Sequence, residues 1–508
     1  MKTLGKFFTL YKGALGIVLL GIALTFPIQD GESKIDKNSA ILKKYYGFCY
    51  GPFRKNEDPD KGVLPTEEEI KEDISFLVKF TGKIRTYGNT GTLSKIPALS
   101  QEVGLECYVG AWISKYKIEN EKEIDNLIKI ANSNLKNIKG LIVGNEVLLR
   151  KDLSEEELSN YIKKVKDATK IDVGTAETWS VLLNNTNIVK NTDFLLVHIH
   201  PYWEGVSIKE APEYVIKRYE EIKAKFPDKK IIIGETGWPT AGEIIGKAVP
   251  SPENQKIFFE RFTKLAEENK IPYFYFEVFD EEWKNKFEGE TGAHWGIFNS
   301  DGSLKFMFYE LFPQEIRKGI NRPARQINKV PIKAPVMVYD EAGSEENHFE
   351  PTGWMGDLES LNIERDCKEF PHSGKTCIKI IYSPTTFDSW AGIYWQYPIN
   401  NWGEYPGYTI SGASKLTFWA RGEKGNEKAE FKVGGINKSP YHNPKFPYQD
   451  SFGPLTTGIV NLTKDWKKYS IDLKKENLSN VIGGFCWVTN RSQNPKGCII
   501  YVDDIKFE

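Results

Sequence analysis

The sequence predicts an α/β protein: a (β/α)8 TIM barrel followed by an all-β sandwich of the jelly-roll type. Between residues 36 and 316, eight short, continuous apolar runs alternate with stretches of helical period. Continuous apolar runs are typical of parallel strands that are covered on both faces. From 336 to 508 the runs are short and alternating, with Gly, Pro, Asn and Asp between them. The chain has 508 residues, which is ample for two domains.

The first 35 residues predict export from the cytoplasm. Lys2, Lys6 and Lys12 precede an apolar run at 13–28. That run is long for a signal peptide and short for a spanning helix of about 20 residues, so a cleaved signal peptide and a retained membrane anchor both fit. Either one places the rest of the chain outside the cytoplasm: secreted, at the cell surface or membrane-anchored.

Eight strand and helix units are predicted within 36–316. The capping boxes Thr66 to Glu69 and Ser154 to Glu157 indicate the starts of two of the helices. Eight units in about 280 residues favour a closed barrel over an open doubly wound sheet, and no GxGxxG opens the first unit. The predicted strands are 45–49, 83–87, 105–112, 140–143, 171–175, 194–200, 230–234 and 273–278.

A basic, proline-interrupted linker is predicted at 317–335, and the sandwich at 336–508. The sandwich contains seven of the 13 tryptophans. Two of them lie within apolar runs and are predicted to be core residues, whereas three cluster and are candidates for a surface that stacks on sugar rings. The core pair is Trp419 and Trp487, and the cluster is Trp390, Trp395 and Trp402.

Composition excludes some classes of partner. Lys and Arg number 68 against 69 Asp and Glu, a net charge of -1, so no positive field is available for nucleic acid. Aromatic residues make up 13% of the chain, and such rings suit the flat faces of sugars as well as a core. There is no CxxC motif and no metal-finger spacing of histidines, so a structural zinc ion is not expected.

The six cysteines are compatible with disulfides or with buried thiols. Cys367 with Cys377 and Cys486 with Cys498 are close enough in sequence to join two hairpins. Cys49 and Cys107 are far apart, and each borders an apolar run.

Acidic residues follow several predicted barrel strands. The C-terminal ends of barrel strands converge on one mouth, where the reacting groups of such folds lie. A carboxylate at a buried strand end costs several kcal/mol unless it has a partner, so each requires a structural partner or a chemical role. The residues that meet this condition are Glu146, Glu177, Glu235, Glu277, Asp280, Glu281 and Glu282.

Glu146 and Glu235 are the strongest catalytic candidates. They follow the fourth and seventh strands, whose ends face each other across the mouth. Two such carboxyl groups suit glycoside hydrolysis: one protonates the leaving oxygen and the other attacks the anomeric carbon, with retention if they lie about 5 to 5.5 Å apart. Asn145 can hold the sugar 2-hydroxyl. A wall of aromatic side chains can give the two carboxyls different pKa values, and its predicted members are Trp238, Tyr202 and Trp283.

Five sequence blocks carry a family resemblance. They are Gly144-Asn145-Glu146, His200-Pro201-Tyr202, Gly234-Glu235-Thr236-Gly237-Trp238-Pro239, the run from Phe276 to Lys284, and His294-Trp295-Gly296-Ile297-Phe298. In this order they resemble family 17 of the glycoside hydrolases, the β-1,3-glucanases and related glucan transglycosylases. The resemblance extends from about residue 44 to 310 and implies a retaining enzyme on a (β/α)8 barrel.

The resemblance also implies residue roles. Glu146 would be the general acid and base, Glu235 the nucleophile, and Tyr202 would orient or hydrogen-bond that nucleophile. Asn145 would contact the sugar, as would Tyr87 in the block Arg85-Thr86-Tyr87-Gly88. The residues expected to line further sugar subsites are Glu277, Trp283 and Lys284.

Two further polar features have competing interpretations. His198 and His200 are two positions apart, a spacing that metals can use, but no third ligand is evident, so His200 is expected to contact a sugar or a neighbouring carboxylate. Glu177 could resemble a catalytic acid, although Thr178 and Trp179 beside it favour the wall of a subsite.

The last domain bears a weaker resemblance to galactose-binding-like β-sandwich modules of extracellular glycosidases. It is carried by Leu416-Thr-Phe-Trp-Ala-Arg-Gly and by Tyr501-Val-Asp-Asp-Ile-Lys-Phe. Such modules often hold one structural calcium ion, although solvated acids at strand ends fit as well. The candidate ligands are Asp340, Glu341, Asp503 and Asp504.

The sequence therefore predicts a retaining hydrolase of β-1,3-glucan, with no organic cofactor and with a monomeric chain. Two alternatives stay open: a β-1,3-glucanosyltransferase that remodels glucan, and a non-catalytic glucan-binding surface protein. The partner expected in all three cases is a β-glucan polysaccharide or oligosaccharide.

Overall fold

The computed structural model describes residues 45–438 and 446–508. The predicted signal peptide or membrane anchor, residues 1–35, lies outside these ranges. Within them, no helix is both long and apolar enough to cross a membrane.

Eight parallel strands close into a barrel, which confirms the predicted fold class. The strands are β1 (Phe48–Cys49), β2 (Lys83–Arg85), β3 (Glu106–Ala111), β4 (Ile138–Asn145), β5 (Val173–Thr178), β6 (Phe194–His198), β7 (Lys230–Thr236) and β8 (Tyr273–Tyr275). They pair in chain order, and β1 closes the ring against β8 where Phe48 is opposite Tyr275. Apolar side chains cover both faces of these strands, which explains their continuous apolar runs.

Helices surround the barrel. They are α1 (Glu67–Leu77), α2 (Ile96–Glu102), α3 (Lys117–Ala131), α4 (Glu155–Ala168), α5 (Trp179–Asn184), α6 (Thr186–Asn191), α7 (Ala211–Lys225), α8 (Pro252–Glu268), α9 (Asn285–Glu288) and α10 (Gln314–Arg317). Thr66 and Ser154 form the predicted capping boxes at α1 and α4. These caps satisfy backbone N–H groups that would otherwise lack partners at the helix starts.

The second domain consists of two facing antiparallel sheets and a separate two-stranded parallel sheet. Its strands are β9 (Val330–Lys333), β10 (Val336–Tyr339), β11 (Glu350–Gly356), β12 (Leu361–Cys367), β13 (Cys377–Tyr382), β14 (Trp390–Gln396), β15 (Tyr408–Ser411), β16 (Lys415–Gly422), β17 (Lys428–Val433), β18 (Leu455–Asn461), β19 (Lys467–Asp472), β20 (Gly483–Asn490) and β21 (Cys498–Phe507). One sheet has the order β12-β13-β21-β16-β19, with β10 on β21, and the other has β11-β14-β20-β17-β18. Their inner faces share one apolar core.

The tryptophans of this domain divide differently from the prediction. Trp487 is buried in the core as expected, but Trp395 is buried there as well, so its assignment to a sugar-stacking surface is wrong. The Trp395 side chain is on the face of β14 that points into the core. The clustering of tryptophans in the sequence did not reveal which face each ring would take. Trp390 at the start of β14 is 46% exposed. Trp419, predicted to be core, is half-buried on the outside of its sheet and stacks on His372.

The predicted linker is packed against its neighbours. Arg322 is buried and donates to Asp73 of α1 over 3.1 Å, and the Arg325 N–H donates to the Lys55 carbonyl. Residues 330–333 form β9, which pairs in parallel with β15. The basic residues of 317–335 thus include a buried ion pair with the barrel.

All six cysteines are buried free thiols. Cys367 and Cys377 are opposite each other on β12 and β13, as expected of a hairpin. Cys486 and Cys498 lie on β20 and β21, which belong to different sheets, so the predicted second hairpin pair is wrong.

Candidate active site

Glu146 and Glu235 lie at the C-terminal ends of opposite barrel strands. Glu235 is the sixth residue of β7, and Glu146 directly follows β4. The backbone turns sharply at Gly144 and Glu146, whose φ angles are 82° and 55°. Such left-handed positions are uncommon outside glycine. The Glu146 side chain is 24% exposed and that of Glu235 is 7% exposed.

The two carboxylates lie close together. One oxygen of Glu146, one oxygen of Glu235 and a ring nitrogen of His198 all fall within 4.8 Å of one another. Retaining glycosidases keep their two carboxyl groups about 5 to 5.5 Å apart, whereas inverting enzymes leave about 6.5 to 9.5 Å for a water molecule. An approach of two carboxylate oxygens to within 4.8 Å fits the retaining class better than the inverting class.

Arg85, at the end of β2, connects the polar groups of the site. Its guanidinium is fully buried and donates from Nη1 to the Gly234 carbonyl at 3.0 Å and to Glu235 Oε1 at 3.1 Å. Nη2 donates to Asn145 Oδ1. This contact orients the Asn145 amide, and its contact with a sugar hydroxyl stays a prediction.

His198 bridges Arg85 and Glu146. Arg85 Nη1 lies 2.8 Å from His198 Nε2, and a guanidinium can only donate, so Nε2 is the acceptor. The ring proton is therefore on Nδ1, which lies 2.7 Å from Glu146 Oε1 and donates to it. His198 thus fixes one oxygen of Glu146.

Glu235 accepts hydrogen bonds from several sides. The Tyr87 hydroxyl donates to Oε1 at 2.9 Å, and His200 Nε2 lies 3.2 Å from Oε2. Burial alone would raise the pKa of this carboxyl, but the Arg85 guanidinium and the hydrogen bond from His200 lower it below its usual value. Glu235 is therefore ionised at neutral pH, the state that a nucleophile needs.

Comparison with known proteins places this geometry in a family. Residues 47–296 match the model of the BtgE/BtgC glycoside hydrolase domain. The glucan 1,3-beta-glucosidase of Saccharomyces cerevisiae is 28% identical over 279 residues, which cover 50% of this chain and 87% of that protein. The barrel domain belongs to glycoside hydrolase family 17. The chain is therefore a glycoside hydrolase.

Two further proteins match the same part of the chain. The glucan 1,3-beta-glucosidase of Arthroderma benhamiae is 29% identical, covering 51% of this chain and 89% of that protein. The crystal structure of a family 17 beta-1,3-glucanosyltransferase from Rhizomucor miehei is 32% identical, with a TM-score of 0.47, covering 52% of this chain and 96% of that one. The family model ends before the sandwich, so the galactose-binding-like resemblance stays a prediction.

Two residues of the predicted aromatic wall lie elsewhere in this family 17 barrel. The Tyr202 hydroxyl donates to the Glu243 carbonyl and lies 3.3 Å from Thr291 Oγ1, so the prediction that it bonds the nucleophile is wrong; Tyr87 does so instead. Trp238 is fully buried, and its Nε1 donates to the Val249 carbonyl. It supports the loop after β7 and offers no ring face to a ligand.

The three residues predicted to line further subsites lie on the loop after β8. Lys284 is buried and ion-paired with Glu277 and with Glu281, the latter at 2.7 Å. Burial, and then Glu281, raise the pKa of the Glu277 carboxyl, although Lys284 opposes this. Trp283 is half-buried, and its ring packs edge-on to Phe53 at 5.7 Å between centroids. Their contact with sugar stays a prediction.

Glu177 has a structural role. It is fully buried and accepts the backbone N–H groups of Leu148, at 2.7 Å, and of Leu149. Burial raises its pKa to about 7. It therefore holds the loop that follows Glu146 rather than lining a subsite.

Sequence reasoning missed Arg150 and Trp112 near the acid. Arg150 donates to the carbonyls of Asn145 and Ile113, and its guanidinium lies 4.4 Å from the ring centre of Trp112. Trp112 is 40% exposed, so a fixed aromatic face is presented beside Glu146. Trp112 ends the predicted strand 105–112, and this position was the one sequence feature that could have placed it at the barrel mouth.

Groups of side chains that could ligate a metal ion lie at two places. Among the described residues, the group close enough to hold an ion is Glu146, His198 and Glu235, but both His198 nitrogens already have protein partners. In the sandwich, Asp503 and Glu341 accept backbone N–H groups at 2.8 and 2.6 Å. Calcium binding by Asp340 and Asp503 stays a prediction.

Proposed function

We propose that this family 17 enzyme is a retaining hydrolase of β-1,3-glucan in which Glu235 is the nucleophile and Glu146 the general acid and base. The observation that carries the proposal is the approach of the two carboxylates to within 4.8 Å inside one hydrogen-bond network. Two related proteins named glucan 1,3-beta-glucosidase support the substrate class.

In the first step, Glu235 Oε attacks the anomeric carbon and the bond to the leaving oxygen breaks. Glu146 gives its proton to that oxygen, and a covalent glycosyl-enzyme forms on Glu235. Arg85 and Tyr87 keep the attacking carboxylate ionised and oriented. Asn145 bonds the 2-hydroxyl of the sugar, a contact that strengthens in the transition state.

In the second step, Glu146 acts as a base. Its carboxylate takes a proton from water, the water oxygen attacks the anomeric carbon, and the bond to Glu235 breaks. The proton taken from water restores the acid form of Glu146, and the broken bond restores the Glu235 carboxylate, so the enzyme is regenerated. The greater exposure of Glu146, 24% against 7% for Glu235, suits its exchange with a leaving group and then with water.

The experiment is the hydrolysis of laminarin by Glu235→Gln in the full chain. We expect kcat to fall by about 10³-fold or more, equivalent to roughly 4 kcal/mol, with the products of the unchanged enzyme formed as β-anomers. Glu253→Gln, on the exposed first turn of α8, is the matched control. More than a tenth of the original turnover in Glu235→Gln would contradict the assignment, and binding without any product from the unchanged enzyme would support a non-catalytic glucan-binding protein.

A second candidate function is transfer of the glycosyl group to another glucan. The exposed face of Trp112, fixed by Arg150 beside Glu146, would favour a sugar acceptor over water. Chromatography of products at high laminari-oligosaccharide concentration separates the two reactions, because transfer yields chains longer than the substrate.

We also propose that the enzyme acts outside the cytoplasm. Lys2, Lys6 and Lys12 before the apolar run 13–28 support export by a signal peptide or a membrane anchor. Fractionation of cells that express the full chain, followed by N-terminal sequencing, distinguishes a cleaved from a retained segment.

A further inference from the structure

The sandwich contacts the catalytic side of the barrel through one buried lysine. Lys61 lies in the loop between β1 and α1, which belongs to the mouth of the barrel. Its Nζ donates to the Asn400 carbonyl at 2.9 Å and pairs with Glu404 at 3.3 Å. It also lies 5.8 Å from the ring centre of Tyr405. All three partners belong to the loop between β14 and β15 of the sandwich.

Burying the Lys61 ammonium without these partners would cost free energy. Only 9% of its side chain is exposed, and a buried ammonium that loses its acceptors must move towards water or lose its charge. The loop around Lys61 is therefore held in place by the sandwich.

A second lysine, Lys286, binds the other side of the same loop. Asp58 caps the short 3-10 helix Pro59–Lys61 by accepting the Asp60 N–H at 3.0 Å. Lys286 of α9 donates to both oxygens of Asp58, at 2.8 and 2.7 Å, and pairs with Asp60 at 2.9 Å. Lys61 thus ties one end of this short turn to the sandwich, and Lys286 binds its other end at Asp58 and Asp60.

Lys286 connects this turn to the loop after β8. Its Nζ lies 5.8 Å from the ring centre of Trp283 and 5.0 Å from that of Phe287. Lys284, next to Trp283, is ion-paired with Glu277 at the end of β8. A continuous series of contacts therefore joins the sandwich to the β8 side of the barrel mouth.

We propose that the sandwich is a fixed part of the substrate cleft, with Lys61 and Glu404 as positioning residues that hold the Trp283 segment through Asp58 and Lys286. This inference rests on the proposed function, because it takes the barrel mouth as the glucan-binding cleft. We call Lys61, Glu404, Asp58 and Lys286 the clamp. Without the clamp, the loop around Lys61 and the Trp283 side chain lose a defined position, and a ligand must order them on binding.

The reacting groups are held independently of this clamp. Glu235 and Glu146 are fixed by Arg85 and His198, none of which contacts Lys61. Loss of the clamp is therefore expected to raise KM for a long oligosaccharide while kcat changes little. A merely structural role would lower the amount of folded enzyme without changing KM.

The test uses Lys61→Met, Lys61→Arg and Glu404→Gln in the full chain. We expect Lys61→Met to raise KM for laminarihexaose roughly tenfold, with kcat within about twofold of the original, and Lys61→Arg to restore most of the affinity. Glu119→Gln is the matched control: it removes the ion pair of Arg365 with α3, another contact between the sandwich and the barrel. It does not touch the turn at Asp58.

Hydrogen exchange provides a readout that does not depend on activity. We expect Lys61→Met, but not Glu119→Gln, to speed amide exchange in residues 282–288. Faster exchange in a chain that hydrolyses no glucan would support the clamp and contradict the proposed function. Unchanged exchange together with an unchanged KM in Lys61→Met would overturn the inference, as would an equal rise of KM in Glu119→Gln.

Discussion

Arg85 determines how the polar side chains around it share their protons. A guanidinium has donors and no acceptor, so each atom that it contacts must accept. That condition orients the Asn145 amide, places the His198 proton on the nitrogen facing Glu146, and keeps Glu235 negative. Glu235 therefore stays ionised because a buried cation is bonded directly to it, whereas the partner of Glu146 is the His198 ring.

Tyr87 is predicted to matter for turnover. Tyr87→Phe removes the hydroxyl that donates to Glu235 Oε1 and keeps the ring that packs on Arg85 at 4.6 Å. A hydrogen bond to a charged group contributes about 1.5 to 3 kcal/mol, so kcat/KM on laminarin should fall about 10- to 100-fold.

Tyr202→Phe is the control for this prediction. Its hydroxyl donates to the Glu243 carbonyl, so kcat/KM should stay within about twofold of the original enzyme. A larger loss in Tyr202→Phe than in Tyr87→Phe would restore the expectation that Tyr202 orients the nucleophile.

These residues also show what a sequence can predict about a site. Glu146 and Glu235 were predicted because each directly follows an apolar strand, and barrel topology brings strand ends together. The partner of Tyr202 is a carbonyl 41 residues away in an irregular loop, and no periodicity specifies such a contact. Arg85 stands in the same sequence block as Tyr87, but no role is predicted for it. Arginine is mostly exposed in proteins, whereas here it is fully buried.

At the level of elements, the segment after the barrel is held by one buried ion pair. Arg322 donates to Asp73 of α1 from two nitrogens, at 3.1 and 3.2 Å. Its guanidinium also lies 3.7 Å from the ring centre of Phe279. The segment that connects barrel and sandwich is therefore anchored to the first helix and to the loop after β8.

Breaking this ion pair is predicted to destabilise the barrel. Arg322→Met keeps the apolar contact with Phe279 but leaves Asp73 with less compensation for burial, and the free energy of unfolding should fall by about 3 kcal/mol. Urea denaturation followed by circular dichroism measures the change. Lys71→Met, which removes an exposed pair with Glu102, should cost less than about 1 kcal/mol; equal losses would contradict the role of Arg322.

Elements were predictable where their pattern was strong. The barrel strands have continuous apolar runs because both faces are covered. Strand β9 falls in the predicted linker because it contains Pro331 and Lys333 and directly follows Lys329. It nevertheless pairs with β15 at the edge of the domain, where proline is tolerated. Strand β11 contains two glycines and a proline, so its strand pattern was weak in the sequence.

The whole molecule buries several carboxyl groups whose pKa values are raised to about 7. They are Glu57, Glu123, Glu177, Asp450 and Asp503, and burial is the largest cause in each case. An acid with a raised pKa in the folded state binds its proton more tightly there than in the unfolded chain. Its contribution to stability is present below about pH 4 and is lost as the pH rises through about 7.

The enzyme is therefore predicted to be more stable at mildly acidic than at alkaline pH. Acids with lowered pKa values, such as Glu235 and Glu508, are already ionised above about pH 5 and do not oppose this trend. Calorimetry should give a higher melting temperature near pH 5.5 than near pH 8, and Glu123→Gln should reduce the difference. A melting temperature that rises between these two values would contradict the assignment.

The central claim is that Glu235 forms a covalent bond with the sugar. The direct measurement is mass spectrometry of the full chain after reaction with a 2-deoxy-2-fluoro laminaribiosyl fluoride, whose glycosyl-enzyme hydrolyses slowly. The account predicts one added disaccharide, located by peptide sequencing on Glu235 and absent from Glu235→Gln. A label on Glu146, or turnover of the reagent with inverted products and no adduct, would contradict it.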